Sequence, residues 1–254
     1  TTAHPIEFGV LCAMVLPLAV HIAFSTPRRD RRRAFWWACV GLVAAGLMFS
    51  VSRSAILAAA SVAVVLFAGW TGQRRTWMAV TGLAFLVFIK LISPGLLGAF
   101  LHLFADAGND DSVKWRTHDY ATARQLISQH LLLGRGLGTW YAPKHEIFDN
   151  QYLLTLVDGG LVGLVTFAGI FVAAIYAALR VRWLWRTAVA RPARADADRD
   201  LALSLTASLA AVVITCATFD FAAFVTVSSL SFVLAGLCGA LLRIVRADVA
   251  GMAA

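Results

Sequence analysis

Seven stretches of this chain are apolar along their whole length, without the alternation of a half-buried strand. They lie near 6–24, 34–50, 54–70, 76–93, 160–180, 201–219 and 223–242. Each is close to the roughly 17–20 residues that a helix needs to cross about 30 Å of hydrocarbon. Lipid offers no water to open backbone groups, so a continuously apolar span must be a helix, with every backbone bond made inside the segment. The pattern predicts an all-α, polytopic transmembrane protein of about seven spans. It forms a single membrane domain over 1–254, broken by one large polar loop over 94–150.

Composition agrees: 60% of the residues are hydrophobic and 14% charged, against roughly half and a quarter in a soluble domain. The arginines then orient the spans. Five fall between Arg28 and Arg33, two at Arg74 and Arg75, six between Arg180 and Arg199, and two at Arg243 and Arg246. If every span is real, all of these lie on one side of the membrane, and the positive-inside rule makes that side the cytoplasm. The formal charge of +8 thus reports topology, with basic loops lying against anionic lipid and no nucleic acid as partner. Loop 94–150 falls outside. Thr1-Thr2-Ala3 carries no initiator Met and no charged signal region, so the expected parent is a longer membrane protein of which this is the C-terminal part.

Cys12, Cys39, Cys216 and Cys238 all sit within predicted spans, which implies packing and no disulfide framework or metal cluster. The six histidines show no i, i+4 pair, so neither metal nor cofactor is expected. Asp196, Asp198 and Asp200 alternate in an Ala/Arg stretch and are read as solvated cytoplasmic charge.

Candidate chemistry concentrates on the outer side. Asp110-Asp111-Ser112 precedes a stretch without Pro or Gly over 113–130, the signature of a helix start. Arg116, Tyr120 and Arg124 then share one face at i, i+4 and i+8. Two guanidiniums in such a stripe suit a phosphate, each as a bidentate fork; a solvated face with an arginine over a tyrosine ring gives the same pattern. Gly134-Arg135-Gly136-Leu137-Gly138 has no preceding strand and lacks dinucleotide spacing. It permits either clustered N–H groups facing an anion or a re-entry turn. Ser52-Arg53-Ser54 divides an apolar run too long for one crossing, so Arg53 sits at a helical hairpin. An arginine there is either held against an anion or snorkels to headgroups.

His4-Pro5, Ser52-Arg53-Ser54-Ala55, Leu132 through Trp140, Asp149-Asn150-Gln151-Tyr152-Leu153 and Gly160-Leu161-Val162-Gly163-Leu164, in that order, resemble the O-antigen ligase and polymerase family. The resemblance implies a C-type glycosyltransferase-like membrane enzyme of the bacterial cytoplasmic (inner) membrane, its active site facing the periplasm. Such an enzyme takes a glycan from a polyprenyl diphosphate carrier and joins it to a saccharide or lipid-glycan acceptor, without metal or nucleotide sugar. It also implies that arginines at the hairpin and in the outer loop grip the diphosphate, here Arg53 and Arg116; Arg124 on the helix-face stripe and Arg135 in the glycine-rich stretch are further candidate cations from the residue pattern. The family often carries a His-Asn pair at the loop exit. This chain has Asp149-Asn150 there, which leaves Asp149 or His145 as the general base beside Asn150, with Tyr152 following as a ring for substrate contact. A flippase of polyprenyl-linked glycan is the rival from another class, but it would distribute its cations along a path between helices.

Overall fold

The computed structural model describes residues 4–92, 95, 98, 120, 122–141, 144–145, 148–188 and 192–253, and these are helical apart from turns and short connections. The helices are α1 (Pro5–Ser25), α2 (Arg32–Phe49), α3 (Arg53–Gly69), α4 (Gly72–Ile92), a short α5 over 122–129, α6 (Gln151–Thr187), α7 (Ala195–Thr215) and α8 (Val225–Ala253). Among the described residues, α1, α2, α4, α6 and α8 are long and apolar enough to cross a membrane. Of the other two expected spans, α3 is apolar but only 17 residues long, and α7 begins with three aspartates. The chain is a multi-pass helical membrane protein. Arg116 and most of loop 94–150 lie outside the described residues.

Helix α7 is the axis of the bundle and packs on α1, α3, α6 and α8. Its sequence explains the position. Ala202, Ser204, Ala207, Ser208 and Ala211 are small and buried, and small residues let helix backbones approach closely where lipid gives no hydrophobic drive to associate. Ser208 uses that closeness to donate its Oγ to the Met14 carbonyl of α1 at 2.6 Å. By contrast α2 buries none of its residues and α4 only Ile89, so both present their apolar sides outward.

The expectation that Asp196, Asp198 and Asp200 are solvated charge is corrected for two of the three. Asp200 is buried; it accepts His21 Nδ1 at 2.9 Å, Trp70 Nε1 at 3.1 Å and Arg74 at 2.5 Å. Asp198 accepts Trp185 Nε1 at 3.2 Å. Asp196 does stay exposed, paired with Arg199 at 3.2 Å. Because α7 starts at Ala195, Asp200 shares a face with Leu203 and Ala207 and turns into the bundle. A linear charge pattern carries no such phase. Asp200→Ala leaves three donors without their acceptor, so it should lower the midpoint of thermal unfolding in detergent by roughly 4–8 °C, from about 2 kcal/mol for stranded buried donors. A midpoint within a degree of wild type would show the cluster to be energetically idle.

Candidate functional site

The site is built at the end of the bundle opposite the arginine-rich turns, where α1, α3, α6 and α8 begin and α7 ends. His4 caps α1 by accepting the Ile6 amide on Nδ1 at 3.2 Å, and its ring lies 5.7 Å from Phe224. Glu7, buried in the first turn of α1, accepts the Thr226 amide at 3.2 Å and so fixes the start of α8. Gly9 lets the α2–α3 hairpin close on α1: a Cβ there would fall 2.4 Å from Ser50 Oγ and 2.5 Å from Ala55 Cβ. At the tip, Val51 takes φ 41, a left-handed conformation that a β-branched residue holds only when its surroundings impose it. Arg53 follows as the first residue of α3, half-buried behind the N-cap Ser52.

The loop exit is held more firmly. Asn150 is the N-cap of α6: its Oδ1 accepts the amides of Tyr152 at 2.9 Å and Leu153 at 3.2 Å, satisfying donors that a helix start leaves open. Its Nδ2 donates to the Tyr120 hydroxyl at 3.3 Å. Gln151 sews this turn to the α7–α8 connection, donating its amide to the Cys216 carbonyl and accepting the Ala222 amide on Oε1, both at 2.8 Å. The Tyr152 hydroxyl donates to the Val213 carbonyl at 2.5 Å, and its ring meets Phe167 edge-on. Both Asn150 and Tyr152 therefore already have structural partners.

Asp149 differs from both. It is half-buried, and among the described residues no donor holds its carboxylate. Across from it lies Asp220, in the turn between α7 and α8, whose Oδ1 accepts the amides of Ala222 at 3.1 Å and Ala223 at 3.3 Å. Burial pushes the Asp220 carboxyl above the ordinary carboxylate range and the charge of Asp149 pushes it further, against the pull of those two amides. Sequence reading passed over Asp220, because a lone aspartate between two apolar runs matches no motif. The Gln151 bridge brings it to the loop exit.

His145 stacks flat on Trp140 at 4.2 Å, and Trp140 stacks on Phe148 at 5.1 Å. Phe148, Ala123 and Val157 form a small buried core with Leu126 and Ile127 of α5. Arg124 lies exposed on that helix, and Arg135 is exposed with its guanidinium carbon 5.8 Å from the Trp140 ring centre.

The glycine-rich stretch is a turn whose anion is internal. Gly134, Gly136 and Gly138 all have positive φ. Arg135 and Gly136 donate their amides to the carbonyls of Val157 and Asp158 at 2.9 Å. The Asp158 carboxylate takes the amides of Gly138 at 2.9 Å and Trp140 at 3.2 Å. The partner segment breaks its own helix to allow this. Gly160 sits at φ 62 within α6, and a Cβ there would meet the Leu132 carbonyl oxygen at 2.4 Å. The span thus starts afresh after Gly160, with Leu161 and Val162 donating to Leu131 and Leu132. The N–H cluster that a substrate phosphate would use is filled by Asp158.

Two cations, two carboxylates and an imidazole therefore stand about the exit of the polar loop, with Arg53 on the hairpin at the same end. Among the described residues no group of His, Cys, Asp or Glu is arranged to hold a metal ion. In comparison with known proteins, a family model described as O-antigen ligase matches residues 37–168, just over half of the chain. The match includes the hairpin, the loop exit and the Gly160 kink; it stops short of Asp220. No curated protein matches.

Proposed function

The chain belongs to the O-antigen ligase family, and from that premise we propose that it transfers or polymerises a glycan from a polyprenyl diphosphate carrier. The acceptor is a saccharide or lipid-linked glycan at the outer face of the bacterial cytoplasmic membrane. Asp149 takes the proton of the attacking hydroxyl, the oxygen attacks the anomeric carbon, and the sugar–diphosphate bond breaks. Arg53, with Arg116, Arg124 and Arg135 from the outer loop, carries the negative charge that develops on the leaving diphosphate. Fixed positive charge at a developing anion is usually the largest single catalytic term, and guanidinium supplies it as a fork that matches phosphate oxygens. Asn150 and Gln151 hold the turn that presents Asp149. His145 is the alternative base.

The observation that carries this reading is the half-buried Asp149 carboxylate, which no donor holds among the described residues, beside a second carboxylate and at the same end as Arg53, within the family-matched stretch except for Asp220. A flippase needs cations along a path through the bundle; the half-buried Arg182 is instead tied to the carbonyls of Gly69 and Arg199 at 2.9 and 3.0 Å. The test is release of polyprenyl diphosphate from a glycan donor by the full chain in liposomes. Release should depend on added glycan acceptor. Movement of intact donor across the bilayer without release would identify a flippase instead.

A further inference from the structure

At the opposite, arginine-rich end of the bundle, the end of α1, the α1–α2 connection, α2 and the start of α4 enclose a groove of about 890 Å³. Its large apolar lining residues are Phe24, Trp37, Trp77 and Met78, contributed by α1, α2 and α4. The charged side chains that line it are Arg28, Arg33 and Arg74, with no acid among the lining residues. Arg74 is neutralised by Asp200 and lies 5.0 Å from the Phe24 ring centre. Arg28 and Arg33 have no carboxylate partner among the described residues. The neighbouring Asp30 carboxylate accepts the Arg32 amide at 2.8 Å.

These two halves restrict the occupant. A small soluble anion has no use for a lining that includes two tryptophans, a phenylalanine and a methionine. A passing apolar helix would leave two guanidiniums facing it without a counter-charge, which is costly at a bilayer boundary. A molecule with an anionic head and a hydrocarbon tail satisfies both halves. Moreover, α1 ends here while α2 and α4 begin here, so the groove lies where apolar helix gives way to charged turn, the level of phosphate headgroups. Basic pockets between helices at that level suit anionic lipid, and the indole rings of Trp37 and Trp77 suit the interface.

We propose that this groove is a binding site for one anionic phospholipid, its phosphate held between Arg28 and Arg33 and an acyl chain lying along Trp37, Trp77 and Met78. The lipid then fills the gap between α4 and the α1–α2 pair. Helix α4 is weakly packed by protein alone, burying only Ile89. The site stands at the far end of the bundle from Asp149 and does not rest on the glycan-transfer reading.

Native mass spectrometry of the full chain tests this, with the protein purified in neutral detergent and offered equal amounts of phosphatidylglycerol and phosphatidylcholine. Wild type should retain phosphatidylglycerol in preference. Arg28→Gln with Arg33→Gln should cut that retention about thirtyfold, the loss of two basic contacts to an anionic headgroup. Arg243→Gln with Arg246→Gln removes the same charge from the same end outside the groove, and should change retention by less than about twofold. Trp77→Ala with Met78→Ala should also weaken it, with both arginines in place. Equal loss in the two arginine pairs would reduce the effect to general basic charge and overturn the proposal. So would displacement by millimolar inorganic phosphate, which marks a soluble-anion site, or equal retention of the two lipids, which marks a plain hydrophobic seam.

Discussion

Asp149→Asn lowers acceptor-dependent release of polyprenyl diphosphate by about a hundredfold or more, as expected when a general base loses its proton-accepting oxygen at constant volume. The protein should still insert and accumulate, because no hydrogen bond of the fold runs through the Asp149 carboxylate among the described residues. The paired substitution is Asp220→Asn. Its Oδ1 alone accepts both turn amides, and asparagine keeps that oxygen while removing the charge. The two variants separate the roles of the two carboxylates. If Asp220 were the base, Asp220→Asn would abolish release. Asp149→Asn would then only remove the neighbouring charge that raises Asp220, moving the acid limb of the rate profile to lower pH. If His145 were the base, His145→Gln would be the damaging change and Asp149 would be an orienting group.

The same pair makes a stability statement with a definite sign. Asp220 is shifted upward in the folded protein, first by burial and then by Asp149, so the fold favours its neutral form. Its favourable contribution is full below the ordinary carboxylate value of about 4 and is lost as pH rises through the shifted value. Above the shifted value the ionised carboxylate is disfavoured by the fold. Asp220→Asn should melt higher than wild type at pH 7, and the difference should close as the pH falls through the acid range. A variant less stable than wild type at pH 7 would mean that the Asp220 charge has a favourable partner in the site.

What could be read in advance divides along physical lines. Five of the seven expected spans were legible, because the hydrophobic length of a crossing is set by the bilayer and not by neighbouring helices. Even the start of one span at residue 160 was legible, although α6 is continuous from Gln151 to Thr187 in chain order, because Gly160 breaks it where two glycines interrupt the apolar run. Side-chain partnership was not legible. The glycine-rich stretch left an anion cradle and a turn equally open, and Asp158, twenty residues downstream of Gly138, decides for the turn by supplying the carboxylate itself. Asp200 looked like one of three solvated acids until the start of α7 fixed its phase. Asp220 had no signal at all, since its meaning depends on Gln151 joining two segments 71 residues apart.

Arg53→Ala should reduce transfer about a hundred- to a thousandfold, the usual cost of removing one fixed donor from a developing anion, and Arg53→Lys should recover little of it. The reasoning starts from the hairpin. A residue that only anchors a helix end to headgroups needs a long cationic chain and no particular direction, so lysine would serve nearly as well as arginine. The hairpin, however, is not a loose tip. Val51 is forced to φ 41, Ser50, Ser52 and Ser54 are buried, and Gly9 admits the turn against α1 with no room for a Cβ. Such a tip fixes where the first residue of α3 stands. A planar fork held in a fixed position discriminates between phosphate geometries, and an ammonium on a flexible stem cannot reproduce it. Transfer from a polyprenyl diphosphate glycan, measured for wild type and both variants at equal membrane abundance, separates the two roles. Near-normal transfer by the lysine variant would leave Arg53 as an anchor. Near-normal transfer by the alanine variant would remove the hairpin from the site, and the diphosphate would have to be held by the arginines of the outer loop alone.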